Sequence, residues 1–354
     1  MIRPLKPLLW SAAQLYGLAV AVRNLLYDHG LLRSHSFDFP VICIGNITAG
    51  GTGKTPHVIW LAEKLSASGR VAVLSRGYLR KSRGFLPVTP ASTPADAGDE
   101  PLLMARSLPG AQVYVDRDRV NGIREILRCE PVTEAVILDD GFQHRAVKAG
   151  MNIILTDRNR LMTRDRLLPL GMLREQIGSV KRADIIIVTK SPSNVSREDR
   201  GQVTGELRAA GATAPVYFTT LAYGNPRHLF NETVRHITPD SHLLMVTGIA
   251  SPAPMAEYLR GIAGSVTQIA FPDHHTFTAE DIGRITSAFD SIGDRDKFIV
   301  TTSKDGVRLK EIANIADHVR QALHYLPVSV QFIENEDEFL NKLYSYVGKD
   351  YQDR

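Results

Sequence analysis

The sequence predicts an α/β protein: a mostly parallel sheet flanked by helices, then a second, smaller α/β unit, all preceded by an amphipathic N-terminal helix. Three observations predict it. Short runs rich in Val and Ile alternate with helix-length segments, the pattern of parallel α/β architecture. The first such run leads directly into a glycine-rich turn and another helix-length stretch. At 354 residues the chain is long for one compact domain, so two are expected.

The N-terminal element is an apolar run from Leu8 to Val22, broken by Ser11 and Gln14, with Arg3 and Lys6 before it and Arg23 after it. A bilayer-spanning helix needs about 20 apolar residues, so the run is too short to cross. It is expected to lie along a membrane surface, with Trp10, Leu15, Tyr16 and Leu18 at the interface. A core or docking helix and a targeting segment are the alternatives; the second lacks a clear small-residue cleavage site before the first strand.

Six strands are expected in the first unit, at Val41–Ile44, Val71–Leu74, Gln112–Val115, Ala135–Leu138, Asn152–Leu155 and Ile185–Val188. Several are apolar on both faces, as strands between helix layers must be. Residues 80–98 read as a long Pro-, Ser- and Gly-rich loop, a length common in functional or mobile segments. Composition shifts near Leu221–Pro226, and further strands are expected at Leu243–Val246, Ile269–Phe271 and Phe298–Thr301. The expected units are 1–33 (surface helix), 34–225 (the larger unit) and 226–354 (a smaller α/β unit).

Composition narrows the partners. Hydrophobic residues make up 44% and charged residues 23%, an ordinary folded α/β balance. The 42 Lys and Arg against 38 Asp and Glu leave a net charge of +4 without a basic stripe. No nucleic acid is therefore expected, whereas an acidic substrate or an anionic membrane suits. The two cysteines, Cys43 and Cys129, form no CxxC pair, so neither a disulfide framework nor a zinc site is expected. Nothing calls for an obligate protein partner.

The chemistry begins after the first strand, with Gly45-Asn46-Ile47-Thr48-Ala49-Gly50-Gly51-Thr52-Gly53-Lys54-Thr55. Glycines let a backbone wrap a phosphate closely, and amide N–H groups at a helix N-terminus stabilise its charge. The run is a variant P-loop, with Thr48 where the usual pattern has glycine. Asn46, Thr48, Gly50, Gly51, Thr52 and Gly53 are expected to line the nucleotide. Lys54 would reach the β- and γ-phosphates of ATP, and Thr55 would ligate Mg²⁺. The run Ala135–Leu138 ends in Asp139 and Asp140, where α/β sites gather. One of these acids is expected to hold the metal, directly or through water; solvated loop acids at a strand end would look the same.

Several motifs together resemble the tetraacyldisaccharide 4′-kinases of lipid A synthesis. They are the P-loop run through Pro56, Ser75-Arg76-Gly77-Tyr78 with Arg80, Gly98-Asp99-Glu100-Pro101, Asp139-Asp140-Gly141-Phe142-Gln143-His144, Leu168-Pro169 with Gly171 and Leu173-Arg174-Glu175, Asp273-His274-His275, and Ser303-Lys304-Asp305. The resemblance implies a P-loop NTPase-like kinase domain with a smaller C-terminal domain closing over the site. It implies transfer of the ATP γ-phosphate to the 4′-hydroxyl of an acylated disaccharide 1-phosphate lipid, at the cytoplasmic face of the bacterial inner membrane. It also implies that Asp99 and His274 act as a catalytic dyad.

The residues are compatible with those roles. A sugar hydroxyl is a poor nucleophile whose proton must be accepted as the new bond forms, and a carboxylate oriented by an imidazole suffices. Asp99 at a helix start also reads as a simple N-cap, and His274 as a surface loop histidine. Arg76, Tyr78 and Arg80 are expected to meet a phosphate, although a solvated basic turn explains them too. Gln143, His144 and Arg174 carry over as substrate-side residues, and Glu175 as a further metal ligand.

Two other readings compete. A P-loop ATPase or GTPase switch would carry a guanine-reading Lys-x-Asp, but Thr189-Lys190-Ser191-Pro192 lacks the acid. A soluble small-molecule kinase leaves the N-terminal helix without a role.

Overall fold

The computed structural model of the chain describes residues 6–293 and 296–352. The strands are β1 (Val41–Gly45), β2 (Val71–Ser75), β3 (Leu86–Val88), β4 (Ala111–Val115), β5 (Ala135–Asp139), β6 (Met151–Asp157) and β7 (Ile185–Thr189). They continue as β8 (Val216–Tyr223), β9 (Arg227–His228), β10 (His242–Thr247), β11 (Ser265–Ala270), β12 (Lys297–Thr302), β13 (Leu323–Leu326) and β14 (Val328–Phe332). The larger sheet has nine strands in the order β14-β8-β7-β6-β1-β5-β2-β4-β3 and the smaller has five, β11-β10-β12-β13-β9. The larger is parallel except at its two edge strands, β14 and β3; in the smaller only β9 runs antiparallel.

The larger sheet is covered on both faces, which explains its nearly unbroken apolar strands. Along β1, Val41 and Cys43 enter one core while Ile42 and Ile44 enter the other, following the two-residue period of a strand. The expected third unit, 226–354, needs correcting. The chain enters the smaller sheet at Arg227 and leaves it after Leu326, then β14 pairs with β8 of the larger sheet. The last helix, Glu336–Gln352, follows it, burying Phe339 and Leu343 in the larger core beside Trp60. An unpaired β8 edge and an uncovered apolar face draw the terminus back.

The N-terminal helix runs Lys6–Asp28. Its inner side buries Ala13 and sets Gly17 so close to Leu167 that a Cβ would lie 2.7 Å from that side chain. Tyr16 donates its hydroxyl to the Arg174 carbonyl at 2.9 Å, and Arg23 turns toward Glu175. Tyr16 therefore faces the protein body, not the membrane interface expected of it. Leu15, Leu18, Val22 and Leu25 are exposed at the three- and four-residue spacing that makes one stripe, and Leu8, also exposed, lies two turns before it on the same side. Arg3 lies outside the described residues.

The helix Lys54–Ser66 is tied to β8 by a buried histidine. The His57 ring bridges the Gly53 carbonyl at 2.7 Å and the Thr219 hydroxyl at 2.9 Å, and burial pushes its pKa from 6.5 down to about 4. The unfolded chain takes up this proton below pH 6.5 and the folded one refuses it until about pH 4. The contribution is complete above pH 6.5 and is lost as pH falls, on the order of 3 kcal/mol at one pKa unit per 1.36 kcal/mol. Tm should fall across that window and His57→Gln should flatten the slope; His324, lowered by burial to about 4, and His144, also lowered, act in the same direction, while Asp139, raised to about 7, opposes them. An unchanged slope in His57→Gln would show that the ring is charged in the folded state.

Candidate active site

The site gathers at the carboxyl ends of the central strands. Gly45 closes β1 against Phe142, where a Cβ would stand 2.6 Å from the Phe142 Cβ. Gly53 precedes the first helical turn at φ +82°, a conformation glycine adopts without strain. Beside Gly50 and Gly51 an added Cβ would meet nothing within 4 Å, so the loop is open where a phosphate would approach. Asn46, Thr48 and Thr52, by contrast, are buried. Asn46 donates from its side-chain amide to the Thr52 hydroxyl at 2.8 Å and accepts from the Gln143 amide at its own carbonyl, also 2.8 Å. Both residues, with Gln143, brace the loop. Lys190 and Thr189 support it from β7, donating to the carbonyls of Gly51 at 2.5 Å and Thr52 at 2.8 Å.

Lys54 points to Asp140, with Nζ 3.6 Å from a carboxylate oxygen; Arg174 holds the other oxygen at 2.9 Å. Burial works against the Asp140 charge, but these two cations outweigh it and lower its pKa. Asp139 is buried at the end of β5, beside Ile44 in register. Ser75 donates to one of its oxygens at 2.7 Å; the other is buried with no hydrogen-bond partner. Burial, then the charges of Glu100 and Asp140, raise its pKa to about 7. Among the described residues no three His, Cys, Asp or Glu cluster as a ready-made metal cage. Mg²⁺ needs none, because it takes hard oxygen donors and shares its shell with phosphates and water. The orphaned Asp139 oxygen, with Asp140 and Thr55, fits that ion.

Asp99 opens the helix Asp99–Ser107, but Gly98 occupies the cap position and no side chain caps the helix. The carboxylate instead lies 3.6 Å from His274 Nδ1 and 2.9 Å from Arg308 Nε. His274 comes from the loop after β11, so the two sheets meet at this pair. Lys304 Nζ donates to Glu100 Oε1 at 2.9 Å and lies 3.2 Å from His274 Nε2. An ammonium only donates, so Nε2 accepts and Nδ1 carries the proton that faces Asp99. The Tyr78 ring stands edge-on to the His274 ring at 5.7 Å, and Tyr78, Asp99, Glu100, Pro101 and His274 line one small cleft. Glu100 links this cleft to the P-loop. Burial would raise its pKa, but Lys304, helped by Lys54, turns the shift downward.

Of the residues expected on the substrate side, Gln143 donates to the Asn46 carbonyl and Arg174 to Asp140, and two more expected site residues are committed elsewhere. Arg80 is buried and donates to the Gly84 carbonyl at 2.5 Å and the Ser82 hydroxyl at 3.2 Å; it folds its own loop and does not present a guanidinium to a phosphate. Glu175 is wholly buried and paired with Arg182, with Asn24 at 3.3 Å and Arg23 at 3.6 Å. A carboxylate held this way anchors the N-terminal helix and is not a metal ligand. Arg76 is exposed and makes no ion pair among the described residues. His144 has a buried Nε2 without a partner, and burial, then the nearby Arg119, lowers its pKa.

Glu100 and Arg308 were missed as site residues. Glu100 was visible only as the neighbour of Asp99. Arg308 had a signal in its spacing, four residues after Lys304, which puts two cations on one helix face.

Residues 5–347 match the family model described as Tetraacyldisaccharide-1-P 4′-kinase. The Tetraacyldisaccharide 4′-kinase of Bacteroides thetaiotaomicron is 41% identical over 352 residues, covering 96% of this chain and 92% of its own. That of Phocaeicola vulgatus is 40% identical over 348 residues, covering 96% and 95%. Among solved structures, "apo" form LpxK from Aquifex aeolicus in complex with ATP superposes with a TM-score of 0.75 at 29% identity, covering 97% of this chain and 99% of that one.

Proposed function

The chain belongs to the tetraacyldisaccharide-1-P 4′-kinase family, and from that premise we propose that Asp99 and His274 form the proton-accepting pair of its reaction. The enzyme is an ATP-dependent kinase that transfers the γ-phosphate of ATP to the 4′-hydroxyl of a tetraacylated glucosamine disaccharide 1-phosphate in lipid A synthesis. The observation that carries the pair is the 3.6 Å approach of Asp99 and His274 from two different sheets.

The acceptor hydroxyl enters the cleft between Tyr78 and His274 and gives its proton to Asp99 as the bond to phosphorus forms. His274, its Nδ1–H toward Asp99, orients the carboxylate toward that hydroxyl, whose oxygen attacks the γ-phosphorus as the bond to the ADP oxygen breaks. Lys54 and the amides of Gly50–Gly53 stabilise charge on the phosphates. Mg²⁺, when bound, neutralises phosphate oxygens, and Thr55, Asp139 and Asp140 would hold it. Arg174 keeps Asp140 in place. Arg76, exposed and without an ion pair among the described residues, is a cation suited to the substrate's 1-phosphate beside Tyr78, and His144 completes that side as a neutral imidazole. Incubation with labelled ATP and an acylated disaccharide 1-phosphate reads the reaction directly. Asp139→Asn or Asp140→Asn should raise the Mg²⁺ concentration required for half-maximal activity. Unchanged Mg²⁺ titrations in both would remove the metal role.

The exposed stripe of the N-terminal helix is assigned to the cytoplasmic face of the inner membrane, where an acylated substrate resides. Among the described residues no helix is long and apolar enough to cross. Burying one large apolar side chain stabilises by roughly 1.5–3 kcal/mol, so several suffice for surface attachment. Leu15→Glu, Leu18→Glu and Val22→Glu together should release the protein from membranes and reduce turnover of lipid substrate while sparing ATP binding. Retention on membranes would place the anchor elsewhere.

A further inference from the structure

The short helix Ser303–Leu309 of the smaller unit carries Lys304 and Arg308 on the face that meets the first turn of the helix Asp99–Ser107. Arg308 is the deeper of the two, only 8% exposed. Its Nη1 donates to the His275 carbonyl at 2.9 Å and lies 3.3 Å from Asp305, while its Nε is 2.9 Å from Asp99. Asp305 is itself wholly buried, accepting from the Gly248 N–H at 2.9 Å and the Thr302 hydroxyl at 2.7 Å. One guanidinium, anchored in the smaller unit, thus touches both the Asp99 carboxylate and the carbonyl of His275, the residue after His274.

His274 sits at φ +58°, a region that residues with a Cβ rarely occupy unless their surroundings hold them there. The Arg308 contact to the following carbonyl is one such hold. Val307, next to Arg308, is buried in the larger unit's core, so the helix carrying the guanidinium is seated between the two units. We propose that Arg308 is a positioning residue that sets the separation and orientation of Asp99 and His274. This rests on the pair being the proton acceptor. Lysine would keep the charge but not the planar fork that places Nε beside Asp99 while Nη1 meets the His275 carbonyl and Asp305.

Misplacing reacting groups by about 1 Å costs about 10²-fold in rate. Arg308→Lys in the full-length enzyme should therefore lower kcat by about 10- to 100-fold at an unchanged KM for ATP. Arg308→Ala should lose more and recover in part on addition of methylguanidinium, a rescue that a general loss of stability would not produce. In an Asp99→Asn background, Arg308→Lys should add little. Wild-type kcat in Arg308→Lys beside an impaired Asp99→Asn overturns the proposal and leaves the pair standing. So does an equal loss from Arg308→Lys with and without Asp99, or an Arg308→Ala enzyme that methylguanidinium does not restore. A silent Asp99→Asn instead removes the pair, and the proposal with it.

Discussion

Asp99→Asn and His274→Ala should each lower kcat by about 10²–10⁴-fold, the usual cost of losing general-base assistance, and leave ATP affinity largely intact. An amide has no lone pair basic enough to take the hydroxyl proton, although it keeps the size and hydrogen-bonding shape of the acid. Were Asp99 only a helix cap, the same change would be nearly silent; the cap position belongs to Gly98 and no side chain caps that helix. The His274 change removes the ring that lies 3.6 Å from Asp99 and 3.2 Å from Lys304. Groups that act as a unit are not additive, so the double variant should be little worse than the more damaged single. Because Asp99→Asn also removes one of the two carboxylates beside the buried Arg308 guanidinium, leaving Asp305 at 3.3 Å, Tm should be measured beside turnover. Fully multiplicative losses would break the pairing.

Lys54→Ala should depress kcat by about 10²-fold or more, since phosphate charge loses a preorganised cation. The fold should survive it. Asp140, the group that Lys54 approaches at 3.6 Å, keeps Arg174 at 2.9 Å, so no carboxylate is left unpaired. Lys54→Arg should not restore turnover, because a planar fork does not fit where a compact ammonium sits. Single-turnover kinetics with saturating ATP separate this loss from weaker nucleotide binding. Near-normal turnover in a folded Lys54→Ala enzyme would remove the P-loop assignment.

Much of the fold was legible because the central strands announce themselves. Val41–Ile44, Val71–Leu74, Ala135–Leu138 and Ile185–Val188 are apolar on both faces and lie inside β1, β2, β5 and β7. The edge strands did not announce themselves. β3 contains Pro87 and lay hidden in an expected loop; proline is tolerated there because β3 pairs on one side only, with β4. β11 begins at Ser265, earlier than Ile269–Phe271, because most of its residues face solvent and carry no apolar pattern. β13 and β14 read as nearly continuous, yet Pro327 between them marks where the chain changes sheets.

The sequence by itself determined what is local. Glycines at Gly50, Gly51 and Gly53 before Lys54 and Thr55 specify a phosphate loop, because backbone freedom and a helix N-terminus act within a few residues. Two acids after β5 are local in the same way. Only the tertiary structure decided which charged side chains are available. Arg80 and Glu175 stand in motifs beside the proposed site residues, but burial and neighbouring partners commit both to holding the fold. The same packing brings His274 and Arg308, both far from Asp99 in the chain, within 3.6 Å of its carboxylate. A side chain's chemistry is written in its type. Its role depends on which groups compete for its hydrogen bonds once water is excluded, and that competition exists only in the folded molecule.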